Sequence, residues 1–270
     1  MLETQEEAVR AAYAPSPWWI AARTGTGSSC TCAPRERPRP APAPPSWATC
    51  PAPATVHYLT VVRRLGPGAP LVVFDGAGLE VDASLVSTPD GWLARPDGPP
   101  RPGRAGVGVH LWYGLPKGDK LETVLRQATE LGVERVRLLA CQRSVVRLEG
   151  GRKDGKLDRL ARVAAEAARQ CGRADVPAVE APSTVAEALA AEVPGLLLVL
   201  HPEGGRPLVE VPLTAPVTVC VGPEGGFSPD ELARFDAAGG IRVTLLGPVL
   251  RTETAAPVAC ALVLHGLGAL

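Results

Sequence analysis

Val219-Cys-Val-Gly-Pro-Glu-Gly-Gly-Phe-Ser-Pro-Asp-Glu-Leu232 runs from an apolar segment through a glycine-rich turn into the start of a helix. Ser228 reads as the N-cap and Pro229 as the first helical residue, with Asp230 and Glu231 placed against the positive end of the helix. Gly222, Gly225 and Gly226 permit backbone angles and close approaches that a side chain forbids. A strand running into such a loop is how an α/β sheet builds a crevice at the carboxyl ends of its strands. Alone, the segment reads equally well as a tight strand-to-helix connection; a second loop of the same kind favours the crevice. That loop follows the apolar run Ile241 to Leu246, breaks at Gly247-Pro248 and continues as Val-Leu-Arg-Thr-Glu-Thr254. Thr252 or Thr254 is expected to cap a final helix from Ala255 to about Leu267, with Glu253 in its first turn. That helix is almost wholly apolar, so it is expected to be buried against the sheet or another subunit. Pro257 is expected to be tolerated as part of its first turn.

Outward from these loops, strand-like and helix-like patterns alternate. Val107–Tyr113, Arg135–Ala140, Leu196–Leu200, Val217–Val221 and Ile241–Leu246 read as strands. Asp119–Leu131, Lys153–Gln170 and Pro229–Ala238 read as helices, the first with Leu121, Val124, Leu125 and Ala128 at helical spacing. Such alternation predicts a mostly parallel sheet covered by helices. Upstream, Val56–Leu65 suggests a short helix with Arg63 and Arg64 exposed. Pro70–Phe74 and Leu79–Val86 alternate like strands joined by the turn Asp75-Gly-Ala-Gly78. Asp90–Gly106, rich in Pro and Gly, reads as a linker. Residues 1–54 do not read as a folded domain: eight of the twenty-two residues from Ala33 to Ala54 are proline, which favours an extended, solvated chain. Met1–Ala14 suggests a short helix, and Trp18-Trp19-Ile20 is an apolar cluster without periodic support.

The 270 residues suit one large domain or two smaller ones. Basic and acidic residues balance at 28 each, but their distribution does not. Leu111–Asp175 carries fourteen basic and nine acidic side chains, whereas Val176–Leu270 carries four and ten, suggesting a basic face in the middle of the chain. The seven cysteines lack metal spacing; Cys30 and Cys32 have no partner pair nearby, and Cys141, Cys171, Cys220 and Cys260 read as small core residues. No signal peptide and no uninterrupted membrane-spanning run is seen, so a reducing cytoplasm is the expected compartment. No G-x-x-x-x-G-K-[ST] occurs, which argues against a Walker-type hydrolase.

With Gly222-Pro-Glu-Gly-Gly226, Leu246-Gly-Pro-Val-Leu-Arg-Thr-Glu-Thr-Ala255 and Leu115-Pro-Lys-Gly-Asp-Lys120 in one chain, the sequence resembles the RsmE family, which makes N3-methyluridine in bacterial small-subunit ribosomal RNA. Gln127-Ala-Thr-Glu-Leu-Gly-Val133, Arg143-Ser-Val-Val146, Ala165-Glu-Ala-Ala-Arg-Gln-Cys-Gly-Arg173 and Leu200-His-Pro-Glu203 extend the match, which covers about Val56 to Leu270 in family order. The resemblance implies an α/β, SPOUT-type, trefoil-knotted, mostly parallel sheet with helices on both faces over residues 103–270. A small PUA-like β-barrel, an RNA-binding module, is implied over 55–102. The family begins with a strand shortly before Val56 that is not apparent here, so the barrel is incomplete if that strand is missing. Residues 1–54 are then either a disordered Pro-rich extension or the product of a wrong start or reading frame.

The same resemblance implies S-adenosylmethionine bent within the knot and held mostly by loop backbone. The matching positions are Leu200 and His201, Gly222, Pro223, Glu224, Gly225 and Gly226, then Leu245, Leu246, Gly247, Leu250, Thr252 and Thr254. His201 is expected to pack or hydrogen-bond beside the cofactor; no metal site is expected. Methylating uracil N3 removes a proton from a weakly acidic imide, so the site must stabilise charge on an unpaired base and give the proton a route. Arg251 suits the first task. Glu253 or Glu224 suits the second or orients Arg251, while Glu253 reads equally as a helix N-terminal carboxylate. Lys117, Lys120, Arg143, Arg169 and Arg173 are the candidate contacts to RNA phosphates. The implied partners are 16S ribosomal RNA in the small subunit and a second copy in a homodimer, without membrane or metal. Two other readings remain: ribose 2′-O methylation of another RNA, and a non-catalytic RNA-binding relative.

Overall fold

A computed structural model describes residues 19–22, 53–144 and 152–270, which fall into two compact units, one ending at Gly103 and one from Arg104 to Leu270. The readings for Met1–Ala14, for the Pro-rich stretch up to Ala52 and for Val145 and Val146 lie outside these residues.

The first unit is an antiparallel sheet. Strands β1 (Trp19–Ala22), β2 (Pro70–Phe74), β3 (Leu79–Thr88) and β4 (Gly91–Pro96) lie in that order, and β5 (Arg101–Pro102) pairs with the start of β3. The Asp75 carboxylate accepts the N–H groups of Ala77 (2.7 Å) and Leu79 (2.9 Å), closing the β2–β3 turn with its own side chain. Along β3, Val81, Ala83 and Leu85 are buried and alternate with partly exposed residues, the period-two pattern of a half-buried strand. They pack with Leu71, Val73, Ala94 and Leu59. Leu59 comes from a short helix, α1 (Pro53–His57), continued by a π-helical turn over Tyr58–Val62.

Two expectations are corrected here. Trp19–Ala22 is a strand, with Trp19 opposite Phe74 and Ala22 opposite Leu71, so a strand precedes residue 53 after all. Four residues are too few for periodicity to register, and the partner strand lies far along the chain. Asp90–Gly106 is not simply a linker, since it contributes β4 and β5. Deleting Met1 to Pro53 is therefore expected to open the apolar edge of β2 to pairing with other chains, while ligand binding by the second unit persists. Sedimentation of the shortened chain checks this; a monodisperse species at all concentrations would contradict it.

The second unit is a seven-stranded parallel sheet. Its strands are β6 (Val109–Gly114), β7 (Arg135–Leu139), β8 (Ala178–Ser183), β9 (Leu196–Leu200), β10 (Arg206–Pro207), β11 (Val217–Val221) and β12 (Ile241–Thr244). They lie side by side as β10-β12-β9-β11-β6-β7-β8. Helices α2 (Lys120–Leu131), α3 (Arg152–Cys171), α4 (Val185–Ala190), α5 (Pro229–Ala237) and α6 (Thr252–Gly266) cover it. Both central strands, β6 and β11, are buried along their whole length, as a parallel sheet covered on two faces requires. Val109, Leu111, Tyr113 and Val219 face a core shared with α2, α3 and α6. Trp112, Val199 and Cys220 face the other, with Val185 and Ala188 of α4 and Leu232 and Phe235 of α5.

Helix α5 starts as its sequence indicates. Ser228 is the N-cap, its hydroxyl accepting the Glu231 N–H while the Glu231 carboxylate accepts the Ser228 N–H, and Pro229 opens the helix. Helix α6 starts differently: its N-cap is Arg251, and neither Thr252 nor Thr254 caps it. Pro257 consequently sits inside the helix rather than in its first turn. Strand β8, helix α4 and the short β10 have no counterpart in the sequence reading. The decisive feature for the site is the path of α6. It leaves β12, which is separated from β11 by β9, yet packs on α2, β6 and β11, so the chain turns back across the carboxyl end of the sheet.

Candidate active site

The loops that leave β9, β11 and β12 all emerge at the carboxyl ends of parallel strands, where open α/β sheets form their crevices. With the start of α6 and Lys120 of α2, they enclose a cavity of about 480 Å³, within the ~300–1,000 Å³ of small-molecule sites. Leu200 and His201 line it from the first loop, Gly222, Pro223, Glu224, Gly225 and Gly226 from the second, and Leu245, Gly247, Leu250, Arg251 and Thr252 from the third. Leu246 and Thr254 do not line it; Leu246 is 72% exposed and Thr254 points to solvent. The sequence reading missed Val221, Phe227, Thr244, Val249 and Ala255, mostly apolar residues adjoining the motifs.

The glycine loop is held from several sides. Gly226 adopts φ +67, closing a turn in which its N–H donates to the Pro223 carbonyl (2.8 Å). The buried Thr252 hydroxyl donates to the Gly222 carbonyl (2.7 Å) and lies 3.4 Å from the Tyr113 hydroxyl. Thr252 thus fastens α6 to the loop instead of capping the helix. Burial pushes the Tyr113 phenol up to about 12, so it stays neutral. Arg143 reaches over the same loop and donates to the carbonyls of Gly225 (3.1 Å) and Phe227 (3.3 Å). Glu231, only 4% exposed, accepts the Gln142 N–H (2.8 Å) as well as that of Ser228, tying the segment after β7 to the loop. His201 bonds locally, its Nδ1 lying 2.5 Å from the Glu203 carbonyl oxygen, and holds to the sheet through its N–H to Val243 (2.9 Å).

Charge converges at one wall. Lys120 Nζ lies 3.1 Å from Glu224 Oε1 and 3.2 Å from Glu253 Oε1. Burial pulls the Glu224 carboxyl upward, but its own backbone N–H, Lys120 and the Lys117 N–H outweigh this and leave it below the usual carboxylate range. Glu253 is lowered too, first by its own backbone N–H at the start of α6, then by Lys120 against the cost of burial. Both carboxylates are therefore ionised at neutral pH. Glu253 sits behind the cavity wall, whereas Arg251 is exposed on it.

The five candidate RNA contacts separate. Lys117 is exposed, and Arg169 lies half-buried in the last turn of α3, outside the cavity lining. Lys120 and Arg143 line the cavity with their charges already engaged. Arg173 is corrected: it is 3% exposed and holds both Asp175 oxygens (2.8 and 2.6 Å) and the carbonyls of Thr129 and Val133 (2.8 Å each). A guanidinium so saturated ties the end of α2 to the turn after α3 and is closed to phosphate. Arg173→Ala is expected to cost about 3–5 kcal/mol by stranding Asp175, read by urea denaturation. A loss under about 1 kcal/mol, that of an ordinary substitution, would contradict this assignment.

The description RNA methyltransferase domain belongs to the family model that matches residues 104–264. The chain is similar to the ribosomal RNA small subunit methyltransferase E of Mycobacterium tuberculosis, at 34% identity over 220 residues, spanning 75% of this chain and 80% of that protein. Against the protein of the same name from Synechocystis the identity is 33%, spanning 77% and 70%. Among solved structures, a ribosomal RNA small subunit methyltransferase E from Neisseria gonorrhoeae bound to S-adenosyl methionine matches with TM-score 0.72 at 25% identity, covering 83% of this chain and 95% of that one. A Legionella pneumophila protein solved in complex with bound SAM matches with TM-score 0.71 at 28% identity, covering 79% and 90%.

Proposed function

The chain belongs to the RNA methyltransferase family that includes the ribosomal RNA small subunit methyltransferase E proteins, and from that premise we propose that it methylates N3 of a uridine in the 16S ribosomal RNA of the small ribosomal subunit. It is an S-adenosylmethionine-dependent RNA methyltransferase. The observation that carries this reading is the cavity formed where the loops after β9, β11 and β12 meet α6. Its lining fits the cofactor: Leu200, Val221, Leu245, Leu250 and Ala255 offer apolar walls to an adenine, and the Gly222–Gly226 loop offers backbone donors and acceptors. When bound, S-adenosylmethionine supplies an electrophilic methyl group on a positively charged sulfur.

The remaining tasks fall to this chain's own side chains. Arg251, exposed on the wall, turns its donors to a uracil carbonyl and stabilises the negative charge that grows on the ring as the N3 proton leaves. Glu253, ionised two residues on, is the candidate to take that proton or orient Arg251. Lys117, exposed in the segment before α2, is a candidate contact to the RNA backbone, and Arg169 in the last turn of α3 is another. The return of α6 from β12 to α2 supports a SPOUT-type trefoil knot, and the antiparallel first unit supports a PUA-like RNA-binding module. Val258, 37% exposed on the apolar α6 beside half-buried Ala261 and Leu262, supports a homodimer, and a ribosomal substrate supports the cytoplasm as the compartment. No helix of the described residues is long and apolar enough to cross a membrane, and none of their side chains cluster as a metal site.

The test is transfer of labelled methyl from S-adenosylmethionine to unmethylated small ribosomal subunits, followed by mass spectrometry of the digested nucleosides. N3-methyluridine is expected. Label on the ribose would change the target atom, and no transfer with intact cofactor binding would favour a non-catalytic relative.

A further inference from the structure

The Lys120 side chain joins three separate strand ends. It opens α2, just after β6, while Glu224 follows β11 and Glu253 follows β12. In the sheet, β12 and β6 are separated by β9 and β11, so only the return of α6 brings Glu253 to this ammonium. Glu224 Oε1 also accepts the Lys117 N–H at 3.1 Å, which anchors the glycine loop to the segment before α2. Glu253 has one oxygen on Lys120 and the other, Oε2, buried with no partner among the described residues. Two carboxylates from different loops thus converge on one cation, and without it they would repel each other across the edge of the cavity. The trio carries one net negative charge, so a phosphate gains nothing by approaching it.

We propose that Lys120 is a positioning residue for methyl transfer: it latches the Glu224 loop to the start of α6 and thereby sets cofactor affinity, and it is not an RNA contact. This rests on the methyltransferase reading, since the latch has a purpose only if the cavity takes S-adenosylmethionine. The Thr252–Gly222 hydrogen bond holds the same two segments at the back of the cavity, and Lys120 closes them at the edge.

The experiment is calorimetric titration with S-adenosylmethionine of the wild type, Lys120→Met and Lys120→Arg, with small-subunit binding and steady-state kinetics on the same proteins. Lys120→Met is expected to weaken cofactor binding about 10-fold and raise its KM in proportion, with subunit affinity changed less than about 3-fold. Lys120→Arg, which keeps the charge, is expected to restore most of the affinity. Glu224→Gln, which removes one arm of the latch, is expected to weaken cofactor binding in the same direction and decides the matter if Lys120→Met does not fold. Cofactor affinity within about 2-fold of wild type in Lys120→Met, an arginine variant as weak as the methionine one, or loss of subunit binding with cofactor binding intact would each overturn the proposal. Failure of the wild type to bind S-adenosylmethionine would instead remove the methyltransferase reading beneath it.

Discussion

An Arg251→Ala enzyme is expected to bind S-adenosylmethionine within a few-fold of wild type and to transfer methyl about 10²–10³-fold more slowly, the cost of removing one donor aimed at developing charge. Affinity is spared because Arg251 serves α6 through its backbone alone: it is an extended N-cap (φ −65, ψ 151) without a side-chain cap, and its carbonyl accepts the N–H groups of Thr254 and Ala255. Alanine keeps that geometry. Its guanidinium stands on the cavity wall and, among the described residues, forms no ion pair. It is therefore free to meet a uracil carbonyl with two parallel donors, which a lysine cannot reproduce; Arg251→Lys should recover only part of the rate. Single-turnover kinetics with saturating cofactor separate the two effects. If kcat fell less than about 5-fold, charge stabilisation would have to come from elsewhere in the site.

Gly114→Ala is expected to damage cofactor binding without touching the cavity. A methyl group at Gly114 would stand 2.5 Å from both the backbone nitrogen and Cδ of Pro223 and 2.9 Å from the Gly222 carbonyl carbon. These neighbours are backbone and a proline ring, so the glycine loop itself must shift away from β6. Gly222 would then be drawn off the Thr252 hydroxyl that fastens it to α6. Overpacking of this kind costs about 1–3 kcal/mol in stability, and cofactor affinity should drop at least about 10-fold as the loop moves. Gly118→Ala is the comparison: that glycine lies four residues beyond Gly114, the last residue of β6, but a methyl group there meets nothing within 4 Å, leaving only the strain of φ +67. Denaturation and calorimetric titration of both variants measure this. Equal cofactor affinities would show that the approach of Gly114 to Pro223 does not hold the loop.

How much was legible depended on whether the information was local. The Ser228 N-cap and the Pro229 start of α5 are written in adjacent residues and are legible, as are the two loops whose glycines and prolines announce them, whereas the reciprocal bond from Glu231 that completes a capping box is seen only in the structure. A second capping box, Thr184 with Glu187, carries the same signature but heads a helix of only six residues, too short for a periodic pattern. The preceding β8 is an edge strand with no alternation of burial, so period two never appears in its sequence. Arg173 was misread because a motif reports that a residue matters but not whether its side chain faces water. That its buried guanidinium already donates to Asp175, Thr129 and Val133 is visible only in three dimensions. The pairing of Lys120 with Glu224 is not legible in the sequence because the two lie 104 positions apart. Thr252 was read as a cap because its inward turn depends on Gly222, brought to it by the fold.

The same long-range ties put the cofactor site under a constraint of time. Tyr113 and Thr252 are 139 positions apart, and α6 packs against α2 from the far end of the chain. During synthesis, five of the seven parallel strands, through β10, and the helices among them emerge before β11 and β12, and α6 follows β12. Until it docks, the Gly222 carbonyl has no hydroxyl to hold it, Lys120 has one carboxylate instead of two, and the third wall of the cavity does not exist. Contacts of such long sequence separation form late, after the entropy of closing the intervening chain has been overcome. A nascent or C-terminally clipped chain therefore carries most of the sheet and still cannot see its cofactor.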